Sequence, residues 1–169
     1  MNTHTKPLAQ ASVIAALYVA LTMAVQPLSF GAVQFRISEV LTVLPIYLPS
    51  AVPGLTVGCL LSNLLGLATG ANPAGAWDLL IGTAATGVAA VLTRCFRRVR
   101  VGSWPLLSVL PPVVLNGVMI GTELYVLYGG MPWGIHMLWV TVGQIGPCVV
   151  GGLLLCRLIE KAGLLRYMQ

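Results

Sequence analysis

The chain has 169 residues, of which 57% are hydrophobic and only 8% charged, and a mean hydropathy of +0.92. A soluble domain carries about 25% charged residues, so this composition excludes a water-exposed globule and points to lipid as the solvent. The net charge of +5 does not indicate nucleic acid, because the basic residues gather at the ends of apolar runs, where cytoplasmic loops place them.

A membrane span needs about 20 residues, so the sequence predicts an all-α membrane protein of six transmembrane helices in a single domain, residues 1–169. The first span runs from Leu8 to Val25 and is read as a retained helix, because only Lys6 precedes it and it is longer than a signal-peptide core. Pro27 and the stretch Leu28-Ser29-Phe30-Gly31 end it. The second, Ile37 to Leu48, is short and punctuated by Pro45 and Pro49. The third, Pro53 to Thr69, is followed by Gly70-Ala71-Asn72-Pro73-Ala74-Gly75, a strong breaker. The fourth runs from Trp77 to Phe96, and the fifth from Pro105 to Leu127, with a kink expected at Pro111-Pro112. The sixth, His136 to Ile159, follows the turn Gly129-Gly130-Met131-Pro132.

Charge asymmetry supports that count. Lys6, Arg94, Arg97, Arg98, Arg100, Arg157, Lys161 and Arg166 are eight of the nine basic residues. The positive-inside rule puts them all in the cytoplasm, with both termini. An even number of spans must then precede both the arginine-rich loop and the C-terminus. If the second segment were re-entrant, this parity would break.

A charge at the centre of a membrane helix costs about 2.5–3.5 kcal/mol on insertion scales, and such residues usually face a cavity or a partner. Of the four acids, Glu160 sits beside Lys161 at a solvated end, whereas Glu39, Asp78 and Glu123 fall near the outer ends of helices. Arg36 and Glu39 share a helical face at i, i+3, either as a local ion pair or as charged groups at the mouth of a pocket. Asn116 and Glu123 lie two turns apart on one face. Asn63 and Gln144 fall at comparable depth, and Asp78, Trp133, His136 and Trp139 lie near the outer surface, with Trp77 an aromatic-belt residue. Polar groups confined to the outer half argue for an outward pocket that suits a planar, polar small molecule. A channel would need polar lining throughout.

Ala11 and Ala15, and Ala16, Ala20 and Ala24, form small-residue stripes on the first helix, as do Gly58, Ser62, Gly66 and Gly70 on the third. Such stripes bring helices close. Internal packing is expected for the third helix, and docking onto another membrane protein is an alternative for the first. Cys59, Cys95, Cys148 and Cys156 form no C-x-x-C pair and are expected to be small core residues. No phosphate loop, H-E-x-x-H or supported Ser-His-Asp set occurs. No catalytic residue, metal or cofactor is therefore assigned, and a pocket with no energy source points to a subunit energised by others.

The stretch Phe30-Gly31-Ala32-Val33-Gln34-Phe35-Arg36-Ile37-Ser38-Glu39, followed by Leu41-Thr42-Val43-Leu44-Pro45, resembles the QueT family. Pro53-Gly54, Gly58-Cys59-Leu60-Leu61-Ser62-Asn63-Leu64-Leu65-Gly66, and Pro112-Val113-Val114-Leu115-Asn116-Gly117 with Glu123-Leu124 carry the same resemblance. These are substrate-binding S components of energy-coupling-factor (ECF) transporters in the prokaryotic plasma membrane. The resemblance implies six helices that capture a queuosine precursor, a deazaguanine base, from outside. It implies docking onto a membrane T component and two cytoplasmic ATPases, with the subunit toppling to deliver its cargo. No nucleic acid is involved. Ala11, Ala15, Ala16 and Ala20 would then be docking residues, and the loop after the first helix a lid. The ligand-binding set would be Gln34, Arg36, Glu39, Asn63, Asp78, Asn116, Glu123, Trp133 and Gln144. Glu123 or Glu39 would accept the base's ring N–H and amino donors through charge-assisted bonds, and the other would meet an aminomethyl cation. Asn63, Asn116 and Gln144 would read the carbonyl and ring nitrogens, and Phe35, Tyr125 or Trp133 would stack on the ring. An S component for another vitamin, such as riboflavin or thiamine, is the alternative. A membrane enzyme using Glu39, Glu123 and His136 is a more distant one.

Overall fold

A computed structural model describes residues 5–163 of the chain. Arg166, one of the residues assigned to the cytoplasm, lies outside the described residues. The elements in order are α1 (Thr5–Ala24), α2 (Gln26–Ser29), a 3-10 segment (Ile37–Ile46), α3 (Ala51–Ala68) and α4 (Ala76–Cys95), which a 3-10 turn extends through Phe96–Arg98. Then come α5 (Leu106–Tyr128), α6 (Trp133–Gln144), a π-helical stretch (Ile145–Gly151) and α7 (Gly152–Lys161). No strand occurs among the described residues, which hold one isolated bridge, Val101 to Trp104.

Five helices are long and apolar enough to cross a membrane: Thr5–Ala24, Ala51–Ala68, Ala76–Arg98, Leu106–Tyr128 and Trp133–Lys161. The last unites α6, the π stretch and α7. Pro147 lies inside the π stretch. A proline has no N–H for the i→i−4 ladder, and a local widening to π geometry carries the helix past it. The turns fall where the glycines do: Gly75 before α4 and Gly129 after α5 have φ of +64° and +55°, a region that favours glycine.

The second predicted span is a ten-residue 3-10 helix. The hydroxyl of Thr42 donates to the carbonyl of Glu39, three residues back, at 2.6 Å, and Pro45 removes a donor near the end. Ten residues rise only about 15 Å as an α-helix but about 20 Å as a 3-10 helix. The ends mark how far the segment reaches. Arg36, just before it, pairs with Asp78 in the first turn of α4. The carbonyl of Pro45, near its other end, accepts a bond of 3.0 Å from Arg94 in the last turn of α4. The segment therefore runs parallel to α4 along most of the depth of the bundle, and tight winding makes up for its few residues.

Contacts fix the direction of every other element. Tyr18 and Thr22 of α1 meet Glu39 and Ser38 in reverse order. Ala11 and Ala15 of α1 lie beside Gly54 and Gly58 of α3. Asn63 of α3 meets Asp78 of α4, Thr93 of α4 meets Ser108 of α5, and Gly117 and Gly121 of α5 face Thr141 and Met137 of α6. Each long element thus reverses its predecessor. Helices α1, α3, α4, α5 and α6 pack in that sequence, and the 3-10 segment touches α1, α3, α4, α5, the π stretch and α7. It is the centre of the bundle. Around it Ile14, Tyr18, Leu44, Leu48, Ala51, Leu55, Cys59, Ala90 and Ile159 form the main apolar core. Leucines and valines such as Leu80, Val126 and Leu154 remain exposed on the outside, the pattern expected where lipid replaces water.

The close approach of α1 to α3 needs glycine. A Cβ on Gly58 would lie 2.8 Å from Tyr18 Cβ and 3.1 Å from the Ala15 backbone, and one on Gly54 would lie 2.8 Å from the carbonyl oxygen of Ala11. Gly58, Ser62 and Gly66 are buried, as internal packing of the third helix requires, while Gly70 is exposed in the turn beyond. The two stripes of α1 part company. Ala11 and Ala15 pack on α3, whereas Ala16, Ala20 and Ala24 are exposed.

Candidate functional site

One end of the bundle holds the basic residues. Arg94, Arg97, Arg98 and Arg100 cluster there with Arg157 and Lys161, and Arg100 pairs with Glu160 at 2.9 Å. Toward the opposite end the interior is polar. Arg36 is buried, and its Nη2 lies 2.8 Å from Asp78 Oδ2. Its Nε donates to the carbonyl of Ser29 at 3.1 Å, and its guanidinium sits 5.3 Å from the centre of the Phe30 ring. Asp78 Oδ2 also accepts from Asn72 Nδ2 at 2.8 Å. Asn63 Nδ2 donates to the Asp78 backbone carbonyl at 2.7 Å. Gly82, one turn along α4, leaves room for these side chains: a Cβ there would approach Asn63 Nδ2 to 2.9 Å.

Glu39 stands on the 3-10 segment with no solvent exposure and accepts a bond from the hydroxyl of Tyr18. Beside it Thr22 donates to Ser38 at 2.7 Å. On the other flank Gln144 Nε2 donates to the backbone carbonyl of Gln34 at 3.1 Å, and the Cys148 thiol donates to Gln144 Oε1 at 3.2 Å. Gln34 is buried at a φ of +53°, an unfavourable backbone state for a residue with a side chain, and such states concentrate at functional sites.

Glu123 reaches this interior from α5. It lies within electrostatic reach of Asp78 and Arg36, as Glu39, Asp78, Tyr18 and Cys59 do of Arg36. It is 4% exposed, and neither carboxylate oxygen has a hydrogen-bond partner. It also lines a pocket of about 260 Å³ between α4 and α5, with Trp77, Ile81, Met119, Thr122, Val126 and Leu127. Gln34 Oε1, Glu39 Oε2, Asn63 Oδ1 and Asp78 Oδ1 are likewise buried without a partner. Buried polar atoms are normally satisfied, and each unsatisfied one costs about 1–3 kcal/mol. Of these five residues only Glu123 lines that pocket; the other unpartnered oxygens are acceptors buried on α3, α4, the 3-10 segment and the stretch before it.

The candidates from the sequence fall into three groups. Arg36, Asp78, Asn63, Glu39 and Glu123 share one electrostatic neighbourhood, with Gln34 and Gln144 joined to each other on its flank. Asn116 is buried on the same helix as Glu123. Trp133 stands apart: it is half exposed, and its indole donates to Thr122 at 3.0 Å. Arg36 does not pair with Glu39 as the i, i+3 spacing suggested. Its backbone is extended, with φ −103° and ψ 107°, so it lies outside the helix, and its side chain turns to α4. Cys95 is exposed, against the expectation that all four cysteines lie in the core, because α4 has left the packed region by its last residue.

Sequence reasoning missed Tyr18, Asn72 and Cys59 as members of this centre. Tyr18 is a lone phenol in the middle of an apolar helix, and a buried Tyr hydroxyl usually has a polar partner. Asn72 was hidden in the turn before α4, where its side chain both accepts from the Ala74 N–H at 3.1 Å and donates to Asp78. Cys59 receives a bond from Thr86 at 3.3 Å. Among the described residues no group of three or more His, Cys, Asp or Glu is placed to hold a metal ion.

Five apolar spans wrapped around a buried polar centre define a multi-pass helical protein of the plasma membrane. The chain belongs to the QueT transporter family, whose model matches residues 8–161. Membership places it among transporters rather than enzymes. A relative described as "Queuosine precursor transporter QueT" from Lactococcus lactis subsp. cremoris (strain MG1363) is 35% identical over 66 residues, 38% of this chain and 39% of the relative. The match thus spans well under half of that relative's length. No solved structure matches the chain.

Proposed function

We propose that the chain is the substrate-binding S component of an ECF-type importer, capturing a queuosine precursor, a deazaguanine base, for uptake driven by ATP hydrolysis in partner subunits. The observation that carries this reading is the set of buried, unpartnered oxygens on Gln34, Glu39, Asn63, Asp78 and Glu123, toward the end of the bundle opposite Arg94, Arg97, Arg98 and Arg100. A guanine-like edge offers the ring N–H and amino donors that such acceptors lack. The relative's name supports the choice of base.

In this reading the 3-10 segment counts as the second of six crossings, and the arginine-rich end with both termini faces the cytoplasm. The alternating directions of the elements and the segregation of the basic residues support that orientation. The polar centre then opens outward. The T component docks on α1, where Ala16 and Ala20 are exposed and where Ala11, Ser12 and Ala15 line a groove of about 210 Å³ with Leu8, Pro53, Gly54 and Val57. Two cytoplasmic ATPases complete the assembly.

Titration of the purified protein with a deazaguanine base tests this function. Saturable binding is expected, weakened in Glu123→Ala by about 10- to 100-fold, the loss of one charge-assisted hydrogen bond of about 1.5–3 kcal/mol. Failure of the wild-type protein to bind the base saturably, in detergent and in nanodiscs alike, refutes it.

A further inference from the structure

Toward the arginine end, α4 and α5 leave an open groove on the outside of the bundle. Its volume is about 300 Å³, and it is lined by Leu92 and Phe96 of α4 and by side chains from Leu107 to Leu115 of α5, every one of them apolar. Leu107, Leu110 and Val114 are exposed, whereas Pro111 between them is buried. The hydroxyl of Thr93 donates to the Ser108 carbonyl at 2.9 Å and ties the two helices together at this level. From Leu107 to Leu115 a helix rises about 12 Å. One leaflet of hydrocarbon is about 15 Å thick, half of a core of about 30 Å, so the groove follows most of the length of an acyl chain in that leaflet.

The groove ends at Phe96, and Arg97 and Arg98 follow it directly in the 3-10 turn. Of the chain's four acidic side chains only Glu160 lies at this end, and Arg100 takes it. Arg94 is drawn inward to the Pro45 carbonyl, and the Arg157 guanidinium lies 3.9 Å from the centre of the Trp104 ring. Arg97 donates to the Arg94 carbonyl at 3.0 Å. Arg98 is exposed, and neither it nor Arg97 meets a carboxylate among the described residues. We propose that this face binds one anionic phospholipid, with an acyl chain along the groove and the phosphate on Arg97 and Arg98. The apolar walls alone would take any hydrocarbon. Two arginines without a counter-charge at the mouth select a negative headgroup, and the guanidinium fork suits phosphate oxygens. A second copy of the chain fits poorly, because a two-fold contact would set the same arginines against each other. The site involves neither the polar centre nor α1, so it stands apart from the transport reading.

The test titrates the full-length protein, purified in detergent and stripped of lipid, with dioleoyl phosphatidylglycerol and with dioleoyl phosphatidylcholine, which share their chains. Native mass spectrometry reads the first lipid bound. The anionic lipid is expected to bind at least about tenfold more tightly, since each arginine near the phosphate contributes about fivefold. Arg98→Gln is expected to lower that preference about fivefold. Lys161→Gln, which removes the same charge from α7, is expected to leave it within about twofold. Leu110→Trp fills the groove and is expected to weaken both lipids about fivefold or more. Equal affinity of the wild-type protein for the two lipids overturns the inference, as does a loss in Lys161→Gln as large as that in Arg98→Gln. Undiminished binding in Leu110→Trp overturns it too. So does displacement of the lipid by glycerol phosphate, which has the charge without the chains, or a protein dimer that Leu110→Trp abolishes. Arg98 and Leu110 are both exposed; should either variant not fold, the wild-type ratio and the glycerol phosphate competition decide.

Discussion

Arg36→Met tests whether the buried ion pair acts as a unit. Asp78 has no solvent exposure. Without the guanidinium its Oδ2 keeps only the Asn72 bond, and its Oδ1 already has no partner. Removing one member of a buried pair costs about 3–5 kcal/mol, because the other is left as an uncompensated charge. The reverse change, Asp78→Leu, strands the guanidinium with only the Ser29 carbonyl, the Cys59 sulfur and the Phe30 ring and is expected to cost about the same. The double variant carries neither desolvation penalty, so it is expected to be less damaged than either single one, with a coupling energy of about 3 kcal/mol or more. Equilibrium unfolding in mixed detergent micelles, followed by tryptophan fluorescence, yields all four stabilities. If the two costs simply add, to about 6–10 kcal/mol, the residues are not acting as a pair and the network built on Asp78 is wrong.

Tyr18→Phe leaves both oxygens of Glu39 without a partner and is expected to destabilise by about 1–3 kcal/mol; unfolding within 0.3 kcal/mol or so of wild type in the same micelles would show that the carboxylate does not depend on the phenol. Gly58→Ala drives a Cβ into Tyr18 and the Ala15 backbone and is expected to cost about 1–3 kcal/mol by forcing α1 from α3. The same change at Gly134, where a Cβ meets nothing within 4 Å, should be neutral or stabilise by up to about 1 kcal/mol. A thermal-stability comparison that ranks the two glycines the other way contradicts the helix packing.

The residues that could be read from sequence are those whose presence in lipid is expensive. Glu39, Asp78, Glu123, Asn63 and Gln144 stood out because charges and amides are rare in apolar helices without a reason, and all five are buried. The long helices were equally visible, since a run of apolar residues bounded by glycine and proline has few other fates in a bilayer. Partners were harder to read. Arg36 and Glu39 looked paired because an α-helical period was assumed, whereas the chain there is extended and then wound as a 3-10 helix. Ala11 and Ala15 could not be told from Ala16 and Ala20, because α1 is apolar on every side and its periodicity does not say which face meets protein. Tyr18 gave no warning, as a phenol among alanines and valines passes for an ordinary core residue until Glu39 is seen opposite it.

The 3-10 segment behaves as a strut of fixed length. It is pinned to α4 at both ends, through Arg36 on Asp78 and Pro45 on Arg94, and it already uses a stretched form of winding. It has no slack to absorb a residue gained or lost. A single insertion would rotate everything beyond it by a third of a turn, about 120°, swinging Glu39 away from Tyr18 or lifting Pro45 off Arg94. Length variation among relatives should therefore gather in the connection 99–105 and spare residues 36–46.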